Sequence, residues 1–147
     1  MIDDMGSFRI NVEVENPAHR GQRRTFQSVL IDTGAELSVF PAAALESLHI
    51  RRFKELHFRQ ADGSVLARWI GSALIHAAGT LTTDDVVFGE PTDLLLLGAR
   101  SLEGLNLRID PVAKRLDPRL VVGRHPGVEG TLDVLQRLTS AESVRQL

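Results

Sequence analysis

One short segment of the chain combines residue types that could do chemistry. Asp32, Thr33 and Gly34 directly follow an apolar run at positions 29–31. A carboxylate at the end of a buried strand is costly to desolvate unless something pairs with it. The glycine permits a sharp turn and the close approach of another chain or a ligand. The tripeptide alone favours an ordinary turn, because Asp and Gly are common in turns.

The elements before this segment are predicted to be strands. Apolar residues alternate with polar ones over 8–15, which is the period of a strand with one buried face. Asn16 and Pro17 indicate a loop that runs through Gly21. A second strand is predicted from Thr25 to Ile31, and its last residues are apolar on both faces, as in a strand that enters the interior. This strand would deliver Asp32 from its buried end.

A short helix and a hairpin are predicted next. Proline at position 41 suits the first turn of a helix over 42–48. Residues 56–59 alternate and precede Asp62-Gly63, a dipeptide typical of hairpin turns, and the return strand is predicted over 65–76. Further strands are predicted at 86–88, 94–97, 105–109 and 120–122. Residues 123–147 are predicted to form a C-terminal extension that is mostly helical.

Two motifs together resemble a known family. Residues 29–39 pair an apolar run with Asp32-Thr33-Gly34-Ala35 and a hydroxyl residue, Ser38. Leu96-Leu97-Gly98 follows well downstream, and Ala61-Asp62-Gly63-Ser64 falls between the two. This order is similar to that of the retropepsin-like aspartic proteases, most of all their compact bacterial and archaeal members. The similarity extends over about residues 8–109.

The resemblance implies a fold and a set of site residues. The fold would be mostly β, a closed β-barrel of the acid-protease type over residues 1–122, with one short helix and the C-terminal helix. Asp32 would be the catalytic carboxylate, and 33–35 would complete the active-site loop. Residues 61–64 would form the tip of a flap over the substrate. Leu96, Leu97 and Gly98 would support the loop from beneath and open a short helix.

A single Asp-Thr-Gly also implies a partner. Aspartic proteolysis uses two carboxylates that share one proton, since close like charges cannot both ionise. The sequence has no second such tripeptide, and Asp62 has no buried strand before it. The second carboxylate would come from Asp32 of a second copy across a two-fold axis. The prediction is a homodimeric endopeptidase; the alternative is a dimerisation or peptide-binding module of the same fold without turnover.

Composition narrows the remaining function classes. The 147 residues are 43% apolar and carry a net charge of −2, which gives no reason to expect nucleic acid as a partner. There is no cysteine, and the five histidines lack the spacing of a zinc site, so no metal or cofactor is predicted. No apolar stretch is long enough to span a membrane, and no leader pattern is present, so a cytoplasmic protein is expected.

Two side-chain roles remain open on sequence alone. A Glu36–Arg100 pair could link the active-site loop to the glycine segment, or it could be only an exposed ion pair. Trp69 could line the substrate cleft, although packing in the core or within the hairpin is the more common role of such a residue.

Overall fold

The computed structural model describes residues 8–110 and the backbone of a strand at 115–118. The described part of the chain is mostly β, with two short helices. In chain order the elements are β1 (Phe8–Asn16), β2 (His19–Asp32), β3 (Ser38–Pro41), α1 (Ala42–Ser47), β4 (Lys54–Arg59), β5 (Val65–Ala77), β6 (Thr80–Gly89), β7 (Leu96–Gly98), α2 (Ala99–Gly104), β8 (Leu107–Asp110) and β9 (Arg115–Pro118).

The first two strands form an antiparallel hairpin, and β1 has the alternating burial that its sequence predicts. Ile10, Val12 and Val14 are buried, and the residues between them are more exposed. The predicted loop through Gly21 is too long, because β2 already begins at His19. The strand continues through Gly21, which has a φ of +102° and so adopts a conformation that glycine tolerates.

The length of β5 follows from its several partners. Its first half, Val65–Ile70, pairs with β4, which confirms the predicted hairpin with Asp62-Gly63 in the turn. Its second half pairs with β6 on one side, and residues 74–76 pair with β1 on the other. The β1–β5 pairing links six strands into a ring in the order β1-β2-β7-β3-β6-β5, with β4 attached to β5.

The shortest strand of this ring, β7, lies between β2 and β3. It runs parallel to β2, with Leu30, Ile31 and Asp32 opposite Leu96, Leu97 and Gly98, and antiparallel to β3. The chain that leaves β2 must therefore pass over the end of β7 before it enters β3. This crossing decides where Asp32 lies.

Both helices pack on one buried cluster that the strands also share. Phe40, Leu45, Ile75, Leu97 and Leu105 are all fully buried in it. The predicted helix after Pro41 is confirmed as α1. The expectation of a single internal helix is wrong, because the glycine segment opens α2, as the family resemblance implies.

The end of the described chain is a small separate sheet. Strands β8 and β9 pair antiparallel, with Leu107 opposite Pro118. The predicted strand at 120–122 and the predicted helix within 123–147 lie outside the described residues. Among the helices that the structure describes, none is long and apolar enough to cross a membrane.

Candidate functional site

Asp32 is the last residue of β2 and lies where the partly buried end of this strand meets solvent. Ile31 before it is buried, Asp32 is half-buried, and Thr33 and Gly34 are exposed. The backbone N–H of Gly34 donates to Asp32 Oδ1 at 2.9 Å, and the N–H of Ala35 donates to the Asp32 carbonyl at 3.2 Å. The loop therefore turns back on its own carboxylate immediately after the strand.

The Asp32 carboxylate keeps most of its hydrogen-bonding capacity. A carboxylate can accept about four hydrogen bonds, and within residues 8–110 the bond from Gly34 is the one side-chain hydrogen bond of Asp32. No cation in that part of the chain forms an ion pair with Asp32. The group is thus held at one oxygen and open to a further partner at the other.

The Asp32 loop, residues 32–37, rests directly on Gly98. A Cβ atom added to Gly98 would lie 2.6 Å from the carbonyl carbon and oxygen of Leu37 and 2.8 Å from the carbonyl oxygen of Glu36. Such distances are far inside van der Waals contact, so this position requires glycine. The predicted support residue is thus placed against the loop by backbone contact.

The first turn of α2 fastens the same loop. The N–H of Ala99 donates to the carbonyl of Ala35 at 2.8 Å, and the N–H of Arg100 donates to the carbonyl of Glu36 at 3.1 Å. The hypothesis of a Glu36–Arg100 ion pair is wrong, because Arg100 pairs with Asp84 instead: Arg100 Nη2 lies 3.2 Å from Asp84 Oδ1. The link between loop and helix is therefore made by backbone groups.

The hairpin turn at 60–64 is internally bonded and exposed. Ser64 Oγ donates to Asp62 Oδ1 at 2.6 Å, the N–H of Ser64 donates to the same oxygen at 2.9 Å, and Gly63 has a φ of +90°. The side-chain hydrogen bond from Ser64 is the main cause of a lowered pKa of Asp62. These bonds give the turn a defined shape without any contact to the body of the protein.

A cavity of about 550 Å³ lies between the β4–β5 hairpin and the Asp32 loop. We call it the hairpin cleft. Its walls are mainly apolar side chains from β4, β5, the loop and β7. The lining residues are Ala35, Glu36, Leu37, Val39, Leu56, Phe58, Leu66, Arg68, Val87, Thr92, Asp93, Leu94 and Leu96.

The predicted site residues are thus only partly brought together. Ala35 and Leu96 line the hairpin cleft, whereas Asp32 lies just outside its lining. The predicted flap residues 61–64 do not line it within this single chain; the strands of the hairpin do so through Leu56, Phe58 and Leu66. Turn residues project beyond the strands that carry them, so the cleft wall is formed by the paired positions behind the tip.

One charged pair lies within the cleft and was missed by sequence reasoning. Arg68 Nε and Nη2 donate to Asp93 Oδ2 and Oδ1 at 2.7 and 2.9 Å, a two-point contact. Asp93 Oδ2 also accepts the N–H of Glu90 at 2.8 Å. The hydrogen bond from Arg68 lowers the pKa of Asp93, and the same bond raises the pKa of Arg68. The pair ties β5 to the loop between β6 and β7.

Trp69 lies on the opposite face of β5 from Arg68. It is 43% exposed and lines a separate cavity of about 530 Å³ together with residues of α1 and the end of β6. Trp69 is therefore neither in the core nor in the lining of the hairpin cleft, since successive side chains of a strand point to opposite faces. Leu66 and Arg68 line the hairpin cleft and Ala67 and Trp69 do not, although Arg68 also lines the second cavity.

No group of three or more acidic, histidine or cysteine side chains that could hold a metal ion occurs within the described residues. Comparison of the chain with protein-family models gives no match, and comparison with curated proteins gives none either. The function is therefore inferred from the geometry around Asp32.

Proposed function

We propose that the chain is one half of a homodimeric aspartic endopeptidase with a retropepsin-like, closed-barrel fold. The observation that carries the proposal is the Asp32 carboxylate itself. It follows the buried residue Ile31 at the end of β2, its side chain accepts a hydrogen bond from Gly34 alone among the described residues, and Ala35 of its loop lines a mainly apolar cleft. A carboxylate in this setting is available to another chain or a substrate.

A second copy would complete the chemistry. With Asp32 of the partner across a two-fold axis, the two carboxyl groups would share one proton. The ionised group would take a proton from a water molecule, whose oxygen attacks the peptide carbonyl carbon. The protonated group would donate to the carbonyl oxygen, so that a tetrahedral diol forms, and its collapse would release the amine and the carboxylic acid.

The cleft supports a peptide as substrate. An extended peptide could lie along the β4–β5 hairpin, with its backbone bonded to strand edges and a side chain within the apolar walls. The exposed turn at 60–64 would act as the tip of a flap, because its own hydrogen bonds keep its shape while it moves as a unit. Thr33 would fix the two Asp32 loops to each other.

The decisive experiment compares the wild type with Asp32→Asn on a peptide library between pH 3 and 8. We expect kcat/KM to fall by at least about 100-fold in the variant, since a general acid–base is lost. Asp85→Asn is the matched control, because the Asp85 carboxylate faces Lys54 at 3.6 Å and does not line the hairpin cleft. Equal cleavage by wild type and Asp32→Asn would refute the proposal.

Dimerisation has a separate measurement. Sedimentation should give a dimer, and specific activity should fall on dilution below the dissociation constant of that dimer. A strictly monomeric protein with full activity would contradict the mechanism.

The alternative function is a peptide-binding module without turnover. The internally bonded turn and the apolar cleft favour peptide binding whether or not cleavage follows. In that case wild type and Asp32→Asn would bind the same peptides with equal affinity, and neither would cut them.

A further inference from the structure

A chain of buried polar groups lies behind the Asp32 loop. The hydroxyls of Ser38, the first residue of β3, and Ser101, within α2, are 2.6 Å apart, and both residues are fully buried. The N–H of Gly98 donates to Ser38 Oγ at 2.9 Å, and Ser101 Oγ donates to Asp84 Oδ2 at 2.9 Å. We call these four groups the hydroxyl relay.

The direction of every hydrogen bond in the relay follows from its two ends. An ionised carboxylate can only accept, so the single proton of Ser101 points to Asp84. The Ser38 hydroxyl must then give its proton to Ser101 Oγ, because Ser101 has none left for it. Ser38 Oγ is thereby free to accept the N–H of Gly98. The relay therefore runs one way, from the Gly98 amide to the Asp84 carboxylate.

Further partners bind the Asp84 carboxylate at the end of this chain. Its side chain is 6% exposed, and its Oδ1 accepts the N–H of Asp85 at 2.8 Å and lies 3.2 Å from Arg100 Nη2. The relay thus has a charged acceptor at one end, and each bond in such a chain polarises the next. Burying two serine hydroxyls costs free energy of desolvation unless both form hydrogen bonds. Here both do.

The Gly98 end of the relay lies directly beneath the Asp32 loop. Gly98 is paired with Asp32 across β2 and β7, and the residues after Gly98 donate their N–H groups to the carbonyls of Ala35 and Glu36. The orientation of the Gly98 peptide therefore sets the platform on which the loop lies.

We propose that Asp84 is a positioning residue for the Asp32 carboxylate and acts through Ser101, Ser38 and the Gly98 amide. The catalytic part of this inference rests on the proposed protease function. Asp84 does not touch a substrate; it keeps the backbone beneath Asp32 in one orientation. A displacement of about 1 Å at a reacting group can lower a rate about 100-fold, so loss of the relay should act on kcat rather than on KM.

The test compares Asp84→Ala, Ser101→Ala and Asp84→Asn with Asp85→Asn as the matched control. Asp85 is the next residue of the same strand, and its carboxylate faces Lys54 at 3.6 Å rather than the relay. Ser101→Ala breaks the relay but leaves the Asp84–Arg100 ion pair. It therefore still tests the relay if Asp84→Ala does not fold. Asp84→Asn keeps an oxygen that can accept from Ser101.

We expect Asp84→Ala and Ser101→Ala to lower kcat by about 10- to 100-fold with KM within about twofold of the wild type. Asp84→Asn should recover kcat to within about threefold, because an uncharged acceptor retains much of the hydrogen bond. Asp85→Asn should match the wild type. An unchanged kcat in folded Ser101→Ala would overturn the proposal.

A second measurement does not depend on activity. NMR of the full chain would follow hydrogen exchange of the Gly98 amide and the carboxyl carbon shift of Asp32 at pH 7. We expect at least about tenfold faster exchange and a shifted Asp32 signal in the two alanine variants, and neither change in Asp85→Asn. Unchanged Gly98 and Asp32 signals in Ser101→Ala would overturn the proposal, even if the protein proves to have no protease activity.

Discussion

Two carboxylates of this protein, Glu15 and Asp32, are held in opposite ways. Glu15 is 1% exposed, and its oxygens accept from the Gly21 N–H, from Arg20 Nε at 3.0 Å and from His76 Nε2 at 2.8 Å. The hydrogen bond from the Gly21 backbone contributes most to lowering the pKa of Glu15 to about 2. Asp32 is half-buried and accepts one side-chain hydrogen bond, from Gly34.

The difference separates the structural role of Glu15 from the reactive role that we propose for Asp32. Glu15 is satisfied by donors from its own chain, so it has little capacity left for a ligand. Asp32 has unused acceptor capacity, and its position is set by the backbone around it rather than by side-chain donors. The Asp32 carboxylate is therefore positioned by the backbone of its loop, which leaves one of its oxygens open to a further partner.

The largest expected effect comes from the glycine beside each carboxylate. Gly98→Ala should lower the free energy of unfolding by about 3 kcal/mol or more, because the added methyl group would overlap the backbone of Leu37. Gly21→Ala should cost only about 1–2 kcal/mol, since nothing lies within 4 Å of the new methyl and only the positive φ is strained. Urea unfolding measures both; an equal loss in the two variants would contradict this difference.

A smaller effect is expected when each carboxylate becomes an amide. Glu15→Gln places an NH2 group against donors, so Tm should fall by several degrees at pH 7. Asp32→Asn keeps the oxygen that accepts from Gly34, so Tm should be unchanged or raised. Calorimetry of both variants at one protein concentration measures the contrast. A lower Tm for Asp32→Asn than for Glu15→Gln would contradict the assignment of the structural role to Glu15.

The smallest expected effect is on the acid side of the stability profile. The pKa of Glu15 is lowered in the folded protein, so its contribution is complete above its ordinary value of 4.5 and is lost as pH falls toward about 2. Asp93 contributes in the same direction, because Arg68 lowers its pKa. Glu15→Gln should therefore flatten the decrease in Tm between pH 4.5 and 2. An unchanged slope would show that Glu15 is not the group that titrates there.

Local signals predicted those elements that depend on neighbours in sequence. The alternation over 8–15, Pro41 and the Asp62-Gly63 turn each indicated the element that the structure contains. The predicted loop through Gly21 is too long, because glycine is a common turn residue but here lies within a strand. The Gly21 N–H binds the carboxylate of Glu15 on the paired strand, a contact that the turn signal does not include.

Side-chain pairs across the fold could not be predicted in the same way. Arg68 and Asp93 are 25 positions apart, and Ser38 and Ser101 are 63 apart. Nothing in either local sequence indicates its partner. The hypothesis of a Glu36–Arg100 pair is wrong for the same reason. Arg100 pairs with Asp84, which lies on β6 and is separated from β7 by a loop.

Local sequence is enough to show that Asp32 follows an apolar run, that a glycine comes shortly after it, and that a hairpin with a tight turn comes later in the chain. These features depend on backbone preferences and on the alternation of apolar residues, which act over a few residues. The positions of Gly98 beneath the loop, of Arg68 and Asp93 in the cleft, and of the buried relay that ends at Asp84 are visible only in the folded chain. Those contacts depend on the insertion of β7 between β2 and β3, which brings together segments that are far apart along the chain.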